Sequence, residues 1–203
     1  MRSWLAICGV LGLGAVAVAA TRGLVPPFHD VAVEPLAWQA GAWMRQPWTL
    51  WTAAWVHTSA GALAGNLLAL AALAVAGAAL GAGALAALAL ALAWPLTTLA
   101  LLVWPQVTSY AGLDGVIHAA AAVLGVHLMR RTTLQALATI LFGGMALKLL
   151  AERGWAQPLA FDPGWGVNLV YGAHLAGALV GAWCAAVLDF VLAKPGARQG
   201  RCS

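Results

Sequence analysis

The sequence predicts an all-α, polytopic membrane protein, a single bundle of six transmembrane helices. Two observations carry that expectation. Of the 203 residues, 63% are hydrophobic and only 8% charged, and the mean hydropathy is +0.89. A soluble domain of ordinary composition carries about 25% charged residues. The apolar residues also fall into runs of the length a bilayer demands, roughly 20 residues of helix for ~30 Å of hydrocarbon. A chain of this length suits one membrane domain over residues 1–203 and leaves no room for a separate soluble one.

The first apolar run, Trp4 to Ala20, follows Arg2 and has the look of a signal peptide. It is long enough to span, and further spans follow, so it reads as the first helix. Residues 21–60 differ in character. They hold Arg22, Pro26, Pro27, Asp30, Glu34, Pro35, Arg45 and Pro47, together with Trp38, Trp43, Trp48, Trp51 and Trp55. Tryptophan favours the membrane–water boundary, so this stretch reads as a long interfacial loop, His29 included.

No charge occurs between Val56 and Pro105, a stretch that must hold two spans. Gly81-Ala82-Gly83 is the natural turn between them, giving spans near 61–81 and 84–103. A polar loop over 104–111 leads to a fourth span at 112–129, ending before Arg130-Arg131. The fifth covers 132–151, a loop with Pro158, Asp162 and Pro163 follows, and the sixth runs over 168–191. The Ala-rich stretches of the second and third spans are of low complexity, without a true internal repeat.

With six spans, one side of the membrane carries Arg2, Arg130, Arg131, Lys194, Arg198 and Arg201. The other carries Arg22, Arg45 and Arg153, with Lys148 nearby and four of the six acids. The positive-inside rule then places both termini in the cytoplasm. For a bacterial chain the membrane is the inner one, and the Trp-rich loop faces the periplasm. The basic residues are scattered, so they give topology and not nucleic-acid binding. Cys8, Cys184 and Cys202 lie far apart, which suggests neither a disulfide framework nor a metal site, and no cofactor is expected.

Asp114 is the most informative residue. A carboxylate within a span costs roughly 2.5–3.5 kcal/mol at a helix centre, and such groups mark functional sites by default. It lies in Tyr110-Ala111-Gly112-Leu113-Asp114-Gly115-Val116-Ile117-His118. Two other segments stand out: Trp55-Val56-His57 followed by Gly65-Asn66-Leu67-Leu68, and Gly172-Ala173-His174-Leu175-Ala176-Gly177 with Gly181 beyond. In order and spacing these three segments resemble the rhomboid family of intramembrane serine proteases, over about residues 43–185. The Tyr-x-Gly-Leu-x-Gly-x-x-His pattern is similar, more narrowly, to the rhombosortase branch, with His118 where most rhomboids have an aromatic residue.

The resemblance implies a six-helix rhomboid-like bundle, His174 as general base and Asn66 as an oxyanion-hole donor. It also implies supporting places for Gly112, Gly115, His118, His57 and Gly177. The implied partners are the lipid bilayer and the transmembrane segments of membrane or tail-anchored proteins, in that branch ones bearing a Gly-Gly C-terminal sorting tail. Two positions depart from the pattern: Asp114 stands at the nucleophilic serine, and Ala62 at the family's second histidine.

Chemistry makes the first departure decisive. A serine–histidine dyad needs a hydroxyl proton for the imidazole to remove. A carboxylate attacking an amide would give an anhydride, and its charge would repel the oxyanion that Asn66 is placed to hold. The expectation is a catalytically impaired pseudoprotease that binds transmembrane segments. The alternatives are a protease active once residue 114 is serine, and a proton relay or transporter around Asp114, His118 and His174.

The residues keep plainer readings beside these. Asp114 can serve the N-terminus of a helix, or pair with His174. His118, four residues on, makes either an interhelical hydrogen bond or a stack against His174. Ala173-x3-Gly177-x3-Gly181 is a small-residue stripe that brings helices together. Asn66 alone would be an interhelical hydrogen-bonding residue. His57 sits at the outer boundary, His127 is interfacial beside Arg130-Arg131, and Tyr171 lines the cavity.

Overall fold

Runs of apolar sequence bounded by capping and turn residues become helices in the structure, a computed structural model that describes residues 1–25, 34–162 and 167–192. The expectations for Pro26, Pro27, His29, Asp30, Pro163, Lys194, Arg198, Arg201 and Cys202 lie outside the described residues. Among the described residues the elements in chain order are α1 (Arg2–Arg22), β1 (Trp38–Gln39), α2 (Thr49–Thr52), α3 (Ala60–Ala79) and α4 (Ala84–Ala100). Then come β2 (Ser109–Tyr110), α5 (Asp114–Met129), α6 (Gln135–Glu152), β3 (Ala160–Asp162), β4 (Val167–Leu169) and α7 (Tyr171–Leu192). Short 3-10 turns extend α2 to Trp55 and α4 to Val103, and precede α6 at Thr132–Leu134.

The chain is thus mainly helical, and five helices are long and apolar enough to cross a membrane: α1, α3, α4 with its 3-10 turn, α6 with its own, and α7. The expected fourth span, α5, has only 16 residues. At 1.5 Å per residue that is about 24 Å, short of a ~30 Å hydrocarbon layer.

Local chemistry sets the boundaries. Ser59 caps α3, its hydroxyl accepting from the Ala62 amide at 3.1 Å. Gly81, at φ 74°, turns the chain from α3 into α4. Pro95 lies inside α4, without an N–H of its own, yet the helix runs on to Ala100.

The centre of the molecule is the contact of α4, α5 and α7. α5 is the most enclosed, burying Val116, Ala119, Ala120, Val123, Leu124 and Leu128. α7 reaches it through glycine. A Cβ on Gly177 would sit 1.9 Å from the Gly115 carbonyl oxygen, and one on Gly181 would sit 2.5 Å from that of Ala119. The stripe therefore places the two backbones in direct contact, as small residues do in membranes. α1 docks on α3 through the fully buried Trp4, which lies against Gly77 and donates to the Leu73 carbonyl at 3.2 Å. α6 is peripheral and buries only Ala138.

Residues 34–60 are more structured than an interfacial loop. Trp38 is fully buried, because β1 pairs antiparallel with β2, Trp38 opposite Tyr110. Trp55 is half-buried and lies edge-on to Trp94 at 5.5 Å. Trp48 and Trp51 are exposed, as an interfacial residue would be. β3 and β4 form a second antiparallel pair, Ala160 opposite Leu169, so Asn168 and Leu169, expected to open the sixth span, are strand, and α7 starts at Tyr171. Strands of two or three residues are too short to leave an alternating pattern in sequence.

Candidate functional site

The start of α5 is fixed from both sides. The Gly112 amide donates to the Ala53 carbonyl at 2.9 Å, tying it to the turn after α2. The buried Tyr110 hydroxyl donates to the Gly112 carbonyl at 2.9 Å and accepts from the Gly115 amide at 3.1 Å. Gly112 itself has φ 132°, a conformation glycine alone takes readily, and a Cβ there would fall 2.8 Å from Asp114 Oδ2. Gly115 sits at the meeting of three helices: a Cβ on it would lie 2.8 Å from Thr97 of α4 and 3.0 Å from the Ala173 carbonyl of α7.

Asp114 is the first residue of α5, where the helix dipole favours negative charge. Its side chain is half-buried and, among the described residues, makes no hydrogen bond or ion pair. Its field reaches its neighbours. Burial pushes the Tyr110 phenol above its ordinary range, and the Asp114 charge adds to that. Burial lowers His57, against smaller opposing effects from the Trp55 carbonyl and from Asp114.

His57 and Asn66 are both buried and face each other, Asn66 Nδ2 to His57 Nε2 at 3.2 Å. His57 Nδ1 lies 3.3 Å from the Trp55 carbonyl. The two contacts agree on one tautomer: Nδ1–H donates to Trp55, and Nε2 accepts from the Asn66 amide. His57 is therefore an enclosed partner of Asn66, not a partly wet boundary residue. One of the two Asn66 amide hydrogens stays free for another acceptor.

His174 lies on the first turn of α7 and is buried. His118 stacks on it, ring centroids 4.3 Å apart and planes 14° from parallel. His118 makes its hydrogen bond within its own helix, Nδ1–H donating to the Asp114 carbonyl at 2.7 Å. Of the two readings open for His118, the stack is the arrangement present. Tyr171 flanks the other residue of the pair, 5.7 Å from His174.

The partner of His174 is not Asp114. His174 Nδ1 meets Glu152 Oε2 of α6 at 2.8 Å, and Lys148 Nζ pairs with Glu152 Oε1. Lys148 Nζ also lies 3.3 Å from His174 Nδ1. Asp114, Gly115, His118, His174 and Gly177 thus gather where α5 meets α7, and His57 with Asn66 forms a pair of its own. Ala62 is half-buried in the first turn of α3.

Sequence reasoning missed Glu152, Lys148, Tyr110 and Asp189. The i,i+4 spacing of Lys148 and Glu152 was the available signal for the first two. Asp189 is buried on α7 and ion-paired to Arg130 at the end of α5. Beside it a cavity of about 20 Å³, lined by Leu85, Val123, His127 and Asp189 among others, has room for a water. His127 Nε2 is buried there and, among the described residues, has no hydrogen-bond partner. Among the described residues, no three His, Cys, Asp or Glu side chains converge as a metal site requires.

No family model matches the chain, and no curated protein matches it.

Proposed function

We propose that the chain is a rhomboid-like membrane protein of the rhombosortase kind that holds transmembrane segments without cutting them. In this reading α5 also spans, which makes six spans, so both termini lie on the same side, the cytoplasmic face of a bacterial inner membrane. The site at the start of α5 opens toward the periplasm. Because α5 is about 24 Å long and ends at the basic Arg130-Arg131, its first residue is recessed several Å below the opposite face.

The observation that carries the reading is the placement of the charged groups at the start of α5 and of α7. The group that opens α5 is the Asp114 carboxylate, while the His174 imidazole is paired with Glu152. A carboxylate has no hydroxyl proton for a base to remove. It also sets a negative charge where a developing oxyanion would need donors. The Asn66 amide, the glycine-mediated contact and the His118–His174 stack remain as scaffold, and a scaffold of this kind suits binding.

Cleavage of a Gly-Gly-tailed transmembrane reporter, with photocrosslinking of the tail, tests the proposal. The chain as it stands is expected to crosslink the tail and leave it intact. Cleavage by the purified protein, abolished by His174→Ala, would sink the pseudoprotease reading. Absence of any crosslink to the tail would sink the binding reading.

A further inference from the structure

We propose that Glu152 is the positioning acid of His174, its carboxylate holding the imidazole with the proton on Nδ1 and leaving Nε2 as the basic nitrogen. This deepens the reading of His174 as the base position and rests on it. Two constraints define the ring. The stack on His118, at 4.3 Å and 14°, fixes its plane. The Glu152 Oε2 contact at 2.8 Å fixes its rotation within that plane.

The 2.8 Å contact with a carboxylate oxygen, which can only accept, puts a proton on Nδ1. Nδ1 cannot donate to Glu152 and accept from Lys148 in the same state. Lys148 Nζ already has Glu152 Oε1 as its acceptor, and an ammonium has no lone pair to offer the ring. The 3.3 Å separation of Nζ and Nδ1 is what results when two donors converge on the two oxygens of one carboxylate. A carboxylate that accepts from Nδ1–H sets the tautomer and faces any charge the ring acquires. Glu152 lies 22 residues from His174 and on another helix, so no local motif announces it.

Glu152→Gln is the discriminating variant. Lys148 would take the amide oxygen, which turns the amide NH2 toward Nδ1. The ring proton then moves to Nε2 and the basic nitrogen is lost from the side where it is needed. The experiment is 15N NMR of histidine-labelled full-length protein in lipid nanodiscs at alkaline pH. The His174 signals are identified by their loss in His174→Asn. The expected result is an Nδ1–H tautomer in the parent chain, reversed to Nε2–H in Glu152→Gln and kept in Lys148→Met. An Nε2–H tautomer in the parent, or the same tautomer in parent and Glu152→Gln, would overturn the proposal. Should Glu152→Gln not fold, the parent tautomer still decides. Reporter cleavage by the parent chain would end the pseudoprotease reading and leave this test standing.

Discussion

Gly177 of α7 lies so close to Gly115 of α5 that a Cβ on Gly177 would fall 1.9 Å from the Gly115 carbonyl oxygen. The atom it would meet is backbone in the middle of the bundle, which has no rotamer to change. Everything at the start of α5, Asp114 included, is held at its distance from His174 by this contact.

Gly177→Ala is therefore expected to destabilise the fold by about 1–3 kcal/mol, the usual range for overpacking. Thermal unfolding in detergent checks it. Gly143→Ala on α6 is the control: nothing lies within 4 Å of its Cβ position. Removing a glycine from a helix interior there should stabilise by roughly 0.5–1 kcal/mol.

Gly112→Ala faces two separate penalties, the φ of 132° and the approach of its Cβ to 2.8 Å from Asp114 Oδ2. We expect a loss of about 1–3 kcal/mol. Combining it with Asp114→Ala removes the second penalty only. The double variant should lose less than the sum of the singles, and equal additivity would show that the carboxylate moves aside freely.

Arg130 and Asp189 tie the far ends of α5 and α7. Removing the cation leaves a carboxylate only 7% exposed without its partner. Arg130→Met should cost at least ~1 kcal/mol, and adding Asp189→Asn should recover most of it, because an uncompensated buried charge is worse than none. Urea unfolding of the three variants, measured side by side, decides it.

His57 gives stability a pH dependence. Burial holds its pKa below the 6.5 of an ordinary histidine, so the folded state keeps it neutral where the unfolded chain binds a proton. Its contribution is present above pH 6.5 and declines as the pH falls below that value. Protonation would also put a second donor against the Asn66 amide. In His57→Gln, stability between pH 7.5 and 5 should fall less steeply than in the parent chain, as read by thermal melts.

The spans were legible because a bilayer leaves so little choice. The charge-free stretch from Val56 to Pro105 had to fold back on itself, and α3 ends at Ala79 and α4 starts at Ala84, on either side of Gly81. The short α5 was legible only as a run of apolar residues. The burial of Trp38 was not, since tryptophan suits both an interface and a core, and only its pairing opposite Tyr110 decides. At the site, the small-residue stripe could be read from spacing. The choice of His174 between two carboxylates could not. Asp114 stands within a motif and Glu152 within none, yet Glu152 is the one that reaches the imidazole, because α6 and α7 bring their ends together.

In the proposed reading Asp114 is what blocks cleavage, on a scaffold that tolerates its other departure, Ala62. The most direct measurement is cleavage of the Gly-Gly-tailed reporter by Asp114→Ser in membranes, beside the parent chain and Asp114→Ser with His174→Ala. The account predicts silence from the parent, cleavage from Asp114→Ser, and silence again once His174 is removed. Cleavage by the parent chain, or silence from Asp114→Ser, would contradict it.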